Sequence, residues 1–430
     1  MLSILIGLVM LMALAYLGWS IIWVAPLAAG VVALLSGLDV YETYTGPYME
    51  GLVDFVKSWF PIFLLGAVFG KLMEKTGAAR SVAKKVTQLI GEKRAILGVL
   101  IAAALLTYGG VSLFVVVFAL YPIALELFRE ANISRKLLVP TFALGAFTFT
   151  MTSTPGTPQI QNLIPMDYFG TTPMAGPIIG IVTTLIMAVG GYFWLAYRGK
   201  KMAAKGDVFT EPDDQKKPDE DEGVEEKDPN WIISLIPLAI VVILLNLVKL
   251  EPLWSLLIGV IAIMILNVQD YKRFIPSIND GSKGSVMAIL NTSAAVGFGA
   301  VIAIVPAFED ITSWLLNISD NPLVAEGLAV QVMAIITGSA SGGLGIALST
   351  LGDTFVELSQ TTGISPDVFH RIAAVASGAS IFPNNGALLT LIAVTGVSLR
   401  DTYKDVFVVA FVIPTIALVV GVIMGAIGLV

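Results

Sequence analysis

Apolar runs of about 18 to 25 residues recur along this chain, each long enough to cross a hydrocarbon core of ~30 Å. In the first half they lie near 2–18, 20–38, 55–73, 137–164 and 177–197. In the second half they lie near 231–248, 252–269, 286–305, 369–398 and 406–429. Two more apolar stretches are interrupted by small residues, 95–128 at Tyr108-Gly109-Gly110 and 324–358 at "GSASGG". Their arms, roughly 12 to 18 residues, are short for full crossings, so each is read as a re-entrant hairpin. The opening stretch has no basic n-region and runs straight into the next apolar segment, which predicts two helices joined at Gly18 to Ser20 and no cleaved signal peptide. The pattern as a whole predicts an all-α polytopic membrane protein.

One segment breaks it. Residues Arg198 to Asn230, "RGKKMAAKGDVFTEPDDQKKPDEDEGVEEKDPN", are charged and nearly devoid of large apolar side chains, the composition of a solvated linker. It divides the chain into a first membrane repeat (1–198), the linker (199–230) and a second membrane repeat (231–430). Slid by about 231 positions, the halves share the order of glycine-rich turn, apolar arm, charged connector and interrupted span. Glu126 falls on Glu357, Ile133-Ser134 on Ile364-Ser365, and Thr154-Pro155-Gly156 on Asn384-Asn385-Gly386.

Each half carries five crossings and one hairpin. An odd number turns the second repeat upside down relative to the first. In that arrangement every basic residue of the 25 except Lys57, Lys249 and Arg371 lies on one face. Cytoplasmic loops hold an excess of Lys and Arg. The linker is therefore expected in the cytoplasm and both termini outside it, in a bacterial inner membrane.

The stretch "TFTMTSTPGTPQIQN", Thr148 to Asn162, interrupts an otherwise apolar span with Pro155, Gly156 and Pro158. "SIFPNNGALLT" repeats the design with Pro383, Asn384, Asn385 and Gly386. Such backbone survives at membrane depth only where it faces protein or a water-filled cavity. A pair of broken spans in corresponding positions points to a substrate site in a secondary transporter, with half-helix N-termini turned to an anion. Small polar residues also serve as helix-packing glue; it is the matched position in both halves that favours binding. The candidate substrate contacts are Thr152, Ser153, Thr154, Gly156, Asn384, Asn385 and Gly386, with Gly110, Ser112, Ser339 and Ser341 at the hairpin tips.

Ionisable residues within apolar segments are functional suspects. Asp353 and Glu357 on the second hairpin are the candidates for carrying a coupling ion, Asp353 being the deeper in its segment. Glu126 sits near a segment end, and His370 beside Arg371 reads as an interfacial residue. Composition agrees with the membrane reading: 56% hydrophobic, 13% charged and a mean hydropathy of +0.85. The net charge of −7 comes largely from the linker and says little about a substrate. No cysteine and a single histidine exclude thiolate and imidazole-cluster metal sites and a cysteine nucleophile. No cofactor is expected. A hydrolase using Ser339 or Ser341 fails for want of a G-x-S-x-G or H-E-x-x-H element, so no enzyme is expected.

"LYPIALELFREANISRKLLVP", "TGSASGG" and "SGASIFPNNGALLTLIAVTGVSLRDTYKDVF" resemble segments of the gluconate:proton symporter (GntP) family of the ion-transporter superfamily. The resemblance implies uptake of a small hydroxycarboxylate, gluconate or a relative such as glycerate or 3-hydroxybutyrate, together with a cation, usually H+. It also implies homodimers in which a scaffold holds a moving transport domain. The chain departs from the sugar-acid carriers at three places. Thr152 to Pro155 stand where they tend to have a histidine-proline element, Pro383-Asn384-Asn385 where they have a His-Asn-Asp-like element, and approximately Phe114 where they carry an acidic residue. Fewer polar groups suit a less hydroxylated anion. A sodium/proton antiporter or a citrate-like carrier of the same superfamily is the alternative, as is Na+ in place of H+.

Overall fold

The computed structural model describes residues 2–17, 19–91, 94–111, 113–212, 229–306, 308, 319–383 and 385–430, and these form helices joined by turns. The first half comprises α1 (Leu2–Tyr16), α2 (Ile21–Leu35), a long α3 (Val40–Lys75), α4 (Ala78–Ile90), then the hairpin α5 (Ala95–Tyr108) and α6 (Leu113–Glu130). The broken span follows: α7 (Leu138–Phe142), a wide turn over Ala143–Phe147, α8 (Phe149–Thr152), an irregular stretch, and α9 (Ile160–Phe169). Helix α10 (Pro177–Ala203) closes the half.

The second half has α11 (Trp231–Asn246), α12 (Pro252–Leu266), α13 (Tyr271–Ala303), the hairpin α14 (Pro322–Thr337) and α15 (Ala340–Thr362), the broken span α16 (Pro366–Gly378) and α17 (Gly386–Thr395), and α18 (Leu399–Ala426). Local chemistry sets many of these ends. Asn321-Pro322 and Ser365-Pro366 supply a cap oxygen and a first-turn proline. Gly170, Gly338, Gly363 and Gly396 stop helices in the left-handed conformation.

Two expectations about span length need correction. The runs at 55–73 and 286–305 are the C-terminal parts of longer helices, because upstream polar residues such as Glu50, Asp54 and Asp280 lower hydropathy without breaking a helix. At 36 residues α3 is about 54 Å long at 1.5 Å per residue, well beyond the bilayer core. Conversely α1, α2 and α12 have 15 residues and α11 has 16, about 23 Å each, because turns take the ends of each apolar run. Among the described residues, α3, α10, α13 with its preceding turn, and α18 are long and apolar enough to cross a membrane.

The two halves exchange contacts reciprocally. Helix α3 packs along α13 at the centre, where a side chain at Gly281 would strike the Val68 backbone at 2.8 Å. Helix α2 lies on α13, and α12 lies on α3. Helix α9 of the first broken span packs on α15 and α16, while α17 of the second packs on α6 and α7.

The basic loops are knitted together. Arg273 donates to Lys75 O, Ser81 to Pro229 O, and Thr402 to Lys136 O, while Lys85 lies over the Trp231 ring. Arg198 pairs with the buried Asp405 at 2.6 Å, and Trp194 Nε1 donates to the same carboxylate. The charged segment after α10 is docked where it is described. Asp207 receives hydrogen bonds from Lys136 and Ser134, and Glu211 from Arg129. Residues 213–228 of the linker lie outside the described residues.

Candidate functional site

In the first break the prolines remove donors, and the chain leaves helical geometry between Thr152 and Ile160. The hydroxyls here turn back on the protein. Thr152 donates to Thr148 O, Thr154 to Phe149 O, and Ser153 to the Met187 sulfur. Thr154 Oγ1 also meets Thr184 Oγ1 at 3.2 Å, beside a cavity of about 710 Å³ between α5, α8 and α10. Its lining is apolar apart from hydroxyls of Tyr108, Thr150, Thr154, Thr184 and Tyr192. Gly156 has φ of +80°, its N–H donates to Pro173 O, and its carbonyl accepts from Asn246 of α11.

In each half the hairpin tip meets the break. In the first, Tyr108 Oη donates to Pro155 O, and Gln159 Nε2 donates to Thr107 O and Val111 O. Gly110 lies against Pro158. In the second, Gly386 N donates to Gly338 O at 3.4 Å, joining the starts of α15 and α17. Ser339 caps α15 by accepting from Gly342 N, and Asn385 caps α17 by accepting from Leu388 N. The first-turn N–H groups of these helices have no intrahelical carbonyl to bond. Gly386 is exposed, and Ser339 and Ser341 are half-buried, whereas Gly110, Thr152, Ser153 and Gly156 are buried. The second junction is the more accessible. Ser112 and Asn384 lie outside the described residues.

The ionisable residues are distributed differently from expectation. Asp353 is exposed on α15, and its neighbour Gly352 lies against Tyr168. Glu357 and Glu126 are exposed as well. His370 is fully buried within the protein, with Nδ1 2.6 Å from Thr171 Oγ1 and Nε2 3.3 Å from Asn162 Oδ1. Because Asn162 Nδ2 donates to Thr157 O and Pro173 O, its Oδ1 is an acceptor, so Nε2 carries the proton.

Arg371, which the charge pattern left unassigned, is fully buried between the halves. Its Nε and Nη2 donate to Ala175 O at 2.8 and 2.6 Å, Nη2 also to Pro173 O, and Nη1 to Asn162 Oδ1 at 2.8 Å. Nη1 reaches Thr152 O and Ser153 O at 3.4 Å, the carbonyl end of α8. A guanidinium so placed satisfies orphan carbonyls and complements a helix C-terminus. The missed signal was a charge inside "HRIAAVASGASIF". Glu326 of α14 was missed likewise, and it too is fully buried.

A family model described as GntP family permease matches residues 1–251. An uncharacterized transporter, YxjC, of Bacillus subtilis is 38% identical, with 95% of each chain covered. The D-serine transporter DsdX of Escherichia coli O6:H1 is 24% identical over 82% of each chain. The high-affinity gluconate transporter of Escherichia coli K12 is 22% identical, covering 83% of this chain and 82% of its own. Among solved structures, the YdaH transporter of Alcanivorax borkumensis superimposes with a TM-score of 0.58 at 13% identity, covering 88% of each chain. That last likeness concerns the fold.

Proposed function

The chain belongs to the GntP family of permeases and is a multi-pass membrane transporter, and from that premise we propose that it takes up a small hydroxycarboxylate by cation symport, with H+ as the cation. The observation that carries this reading is the junction at Gly338 and Gly386, where two capped helix N-termini converge on an accessible spot. The positive dipole ends of two helix N-termini suit a carboxylate. Asn385, Gly386, Ser339 and Ser341 form its second-half wall, with Asn384 beside them in sequence.

Thr152, Ser153, Thr154, Gly156 and Gly110, with Ser112 beside Gly110 in sequence, are the candidates for the opposing side, where the hydroxyls of Thr152, Ser153 and Thr154 turn back on the protein. Arg371 has its donors on carbonyl oxygens, so it acts on an anion through its field in a low-dielectric interior and not by contact. Gluconate and D-serine, the solutes named for two relatives, each combine a carboxylate with hydroxyl chemistry. The absence of a histidine at the first break and of an acidic partner at the second favours a less hydroxylated acid such as 3-hydroxybutyrate.

The reading includes inverted repeats, a homodimer in the bacterial inner membrane, a cytoplasmic linker and extracytoplasmic termini. Reciprocal packing of the halves and the clustering of basic loops support it. The test is uptake of labelled 3-hydroxybutyrate and gluconate into proteoliposomes under separate proton and sodium gradients. Accumulation of one acid under the proton gradient is expected. Asn385→Asp, which keeps a capping oxygen but adds negative charge, should lower it at least about tenfold while the protein stays folded. Failure of folded protein to move either acid, with sodium-driven proton movement instead, would replace this reading by an antiporter.

A further inference from the structure

Glu326 lies in the second turn of α14, the first arm of the second hairpin. Its relative exposure is 0%, and neither carboxyl oxygen has a hydrogen-bond partner among the described residues. Leu323, Ala325, Gly327, Ala329 and Val330 around it on the helix are buried too, and Gly327 lies against Ile372 and Leu418. A buried carboxylate with neither a cation nor an N–H donor costs several kcal/mol, so such a group persists only in its neutral form or with a counter-ion.

Among the described residues, the elements packed on α14 supply no counter-ion. The part of α18 that meets it, Ile413–Ala426, has no ionisable side chain, and α1 has neither an acidic nor a basic residue. On α15, Asp353 and Glu357 are exposed, and both are acids. On α16, Asp367 is half-buried near the helix start, His370 bonds Thr171 and Asn162, and the Arg371 guanidinium is turned onto Ala175, Pro173 and Asn162.

We propose that Glu326 is the proton-carrying residue of the transport cycle, protonated while α14 is packed as seen here and releasing its proton when the hairpin shifts to open it to water. This rests on the symport reading above. The link to the substrate is mechanical: α14 continues from Glu326 to Gln331, whose Nε2 donates to Ala379 O in the second break, and on to Gly338, which accepts from Gly386 N. Loss of the proton would place a bare charge among apolar side chains. The hairpin would then have to move, and the junction with it.

Two measurements test the assignment. Infrared difference spectra of wild-type protein and Glu326→Gln at neutral pH need no substrate. A protonated-carboxyl band present in wild type and absent from the variant is expected, and no such band in wild type overturns the proposal. In proteoliposomes, Glu326→Gln should retain counterflow exchange of the transported acid but lose at least about tenfold of its accumulation under a proton gradient. Gradient-driven accumulation equal to wild type overturns it. If wild type moves no acid tested while the band is present, the substrate reading fails and the proton site stands.

Discussion

Replacing Arg371 by Met removes a side chain that, alongside His370, ties the two broken spans together. Ala175 O loses both of its bonds from the guanidinium. Pro173 O keeps donors from Gly156 N and Asn162 Nδ2, and Asn162 Oδ1 keeps His370 Nε2. Ala175 O is thus left unpaired, at about 1–3 kcal/mol, Thr152 O and Ser153 O lose their longer 3.4 Å contacts, and charge-assisted bonds of about 1.5–3 kcal/mol each are lost. Relief from burying a guanidinium offsets part of this. A net loss of about 2–4 kcal/mol is expected, read by equilibrium unfolding in mixed micelles. Arg371→Lys should fall between, since one ammonium cannot span Ala175 and Asn162 together. A Met variant within about 0.5 kcal/mol of wild type would refute the argument that Arg371 holds the first break in shape.

Gly156→Ala should destabilise by about 1–2 kcal/mol, because φ is +80° and the new Cβ would lie 2.7 Å from Asn246 Oδ1; unfolding in the same micelles reads it, and an unchanged stability would speak against the turn geometry. Asp207 offers a pH test. Burial opposes its ionisation, but hydrogen bonds from Lys136 and Ser134 hold its carboxyl below the usual value. A depressed carboxyl contributes stability above the unfolded pKa of about 4, and that contribution is lost as pH falls through the lower folded value. With side chains 32% and 38% exposed, the pair is worth only about 0.5 kcal/mol after screening. Asp207→Asn should therefore cost that much at pH 7 and nothing in strong acid; an equal deficit at both would exclude the ion pair as its source.

The helices and their interruptions were legible because they depend on the chain's own backbone. Pro155, Gly156 and Pro383 change local hydrogen bonding wherever they are placed, and the glycines after Tyr108 and Thr337 turn the chain back at once. Hydropathy marked where apolar helix exists but not where helix ends, so α3 and α13 run further than their apolar cores. The sequence by itself thus determined a multi-pass helical protein with two hairpins and two broken spans. Only tertiary structure decided which ionisable groups are buried, since burial depends on what other helices place around a side chain. Asp353, within an apolar helix, emerges at the surface, while His370 and Arg371, at the start of α16, are enclosed by the first break and the chain from Thr171 to Ala175. Glu326, the fifth residue of α14, is enclosed for the same reason: α15, α16 and α18 converge on that helix.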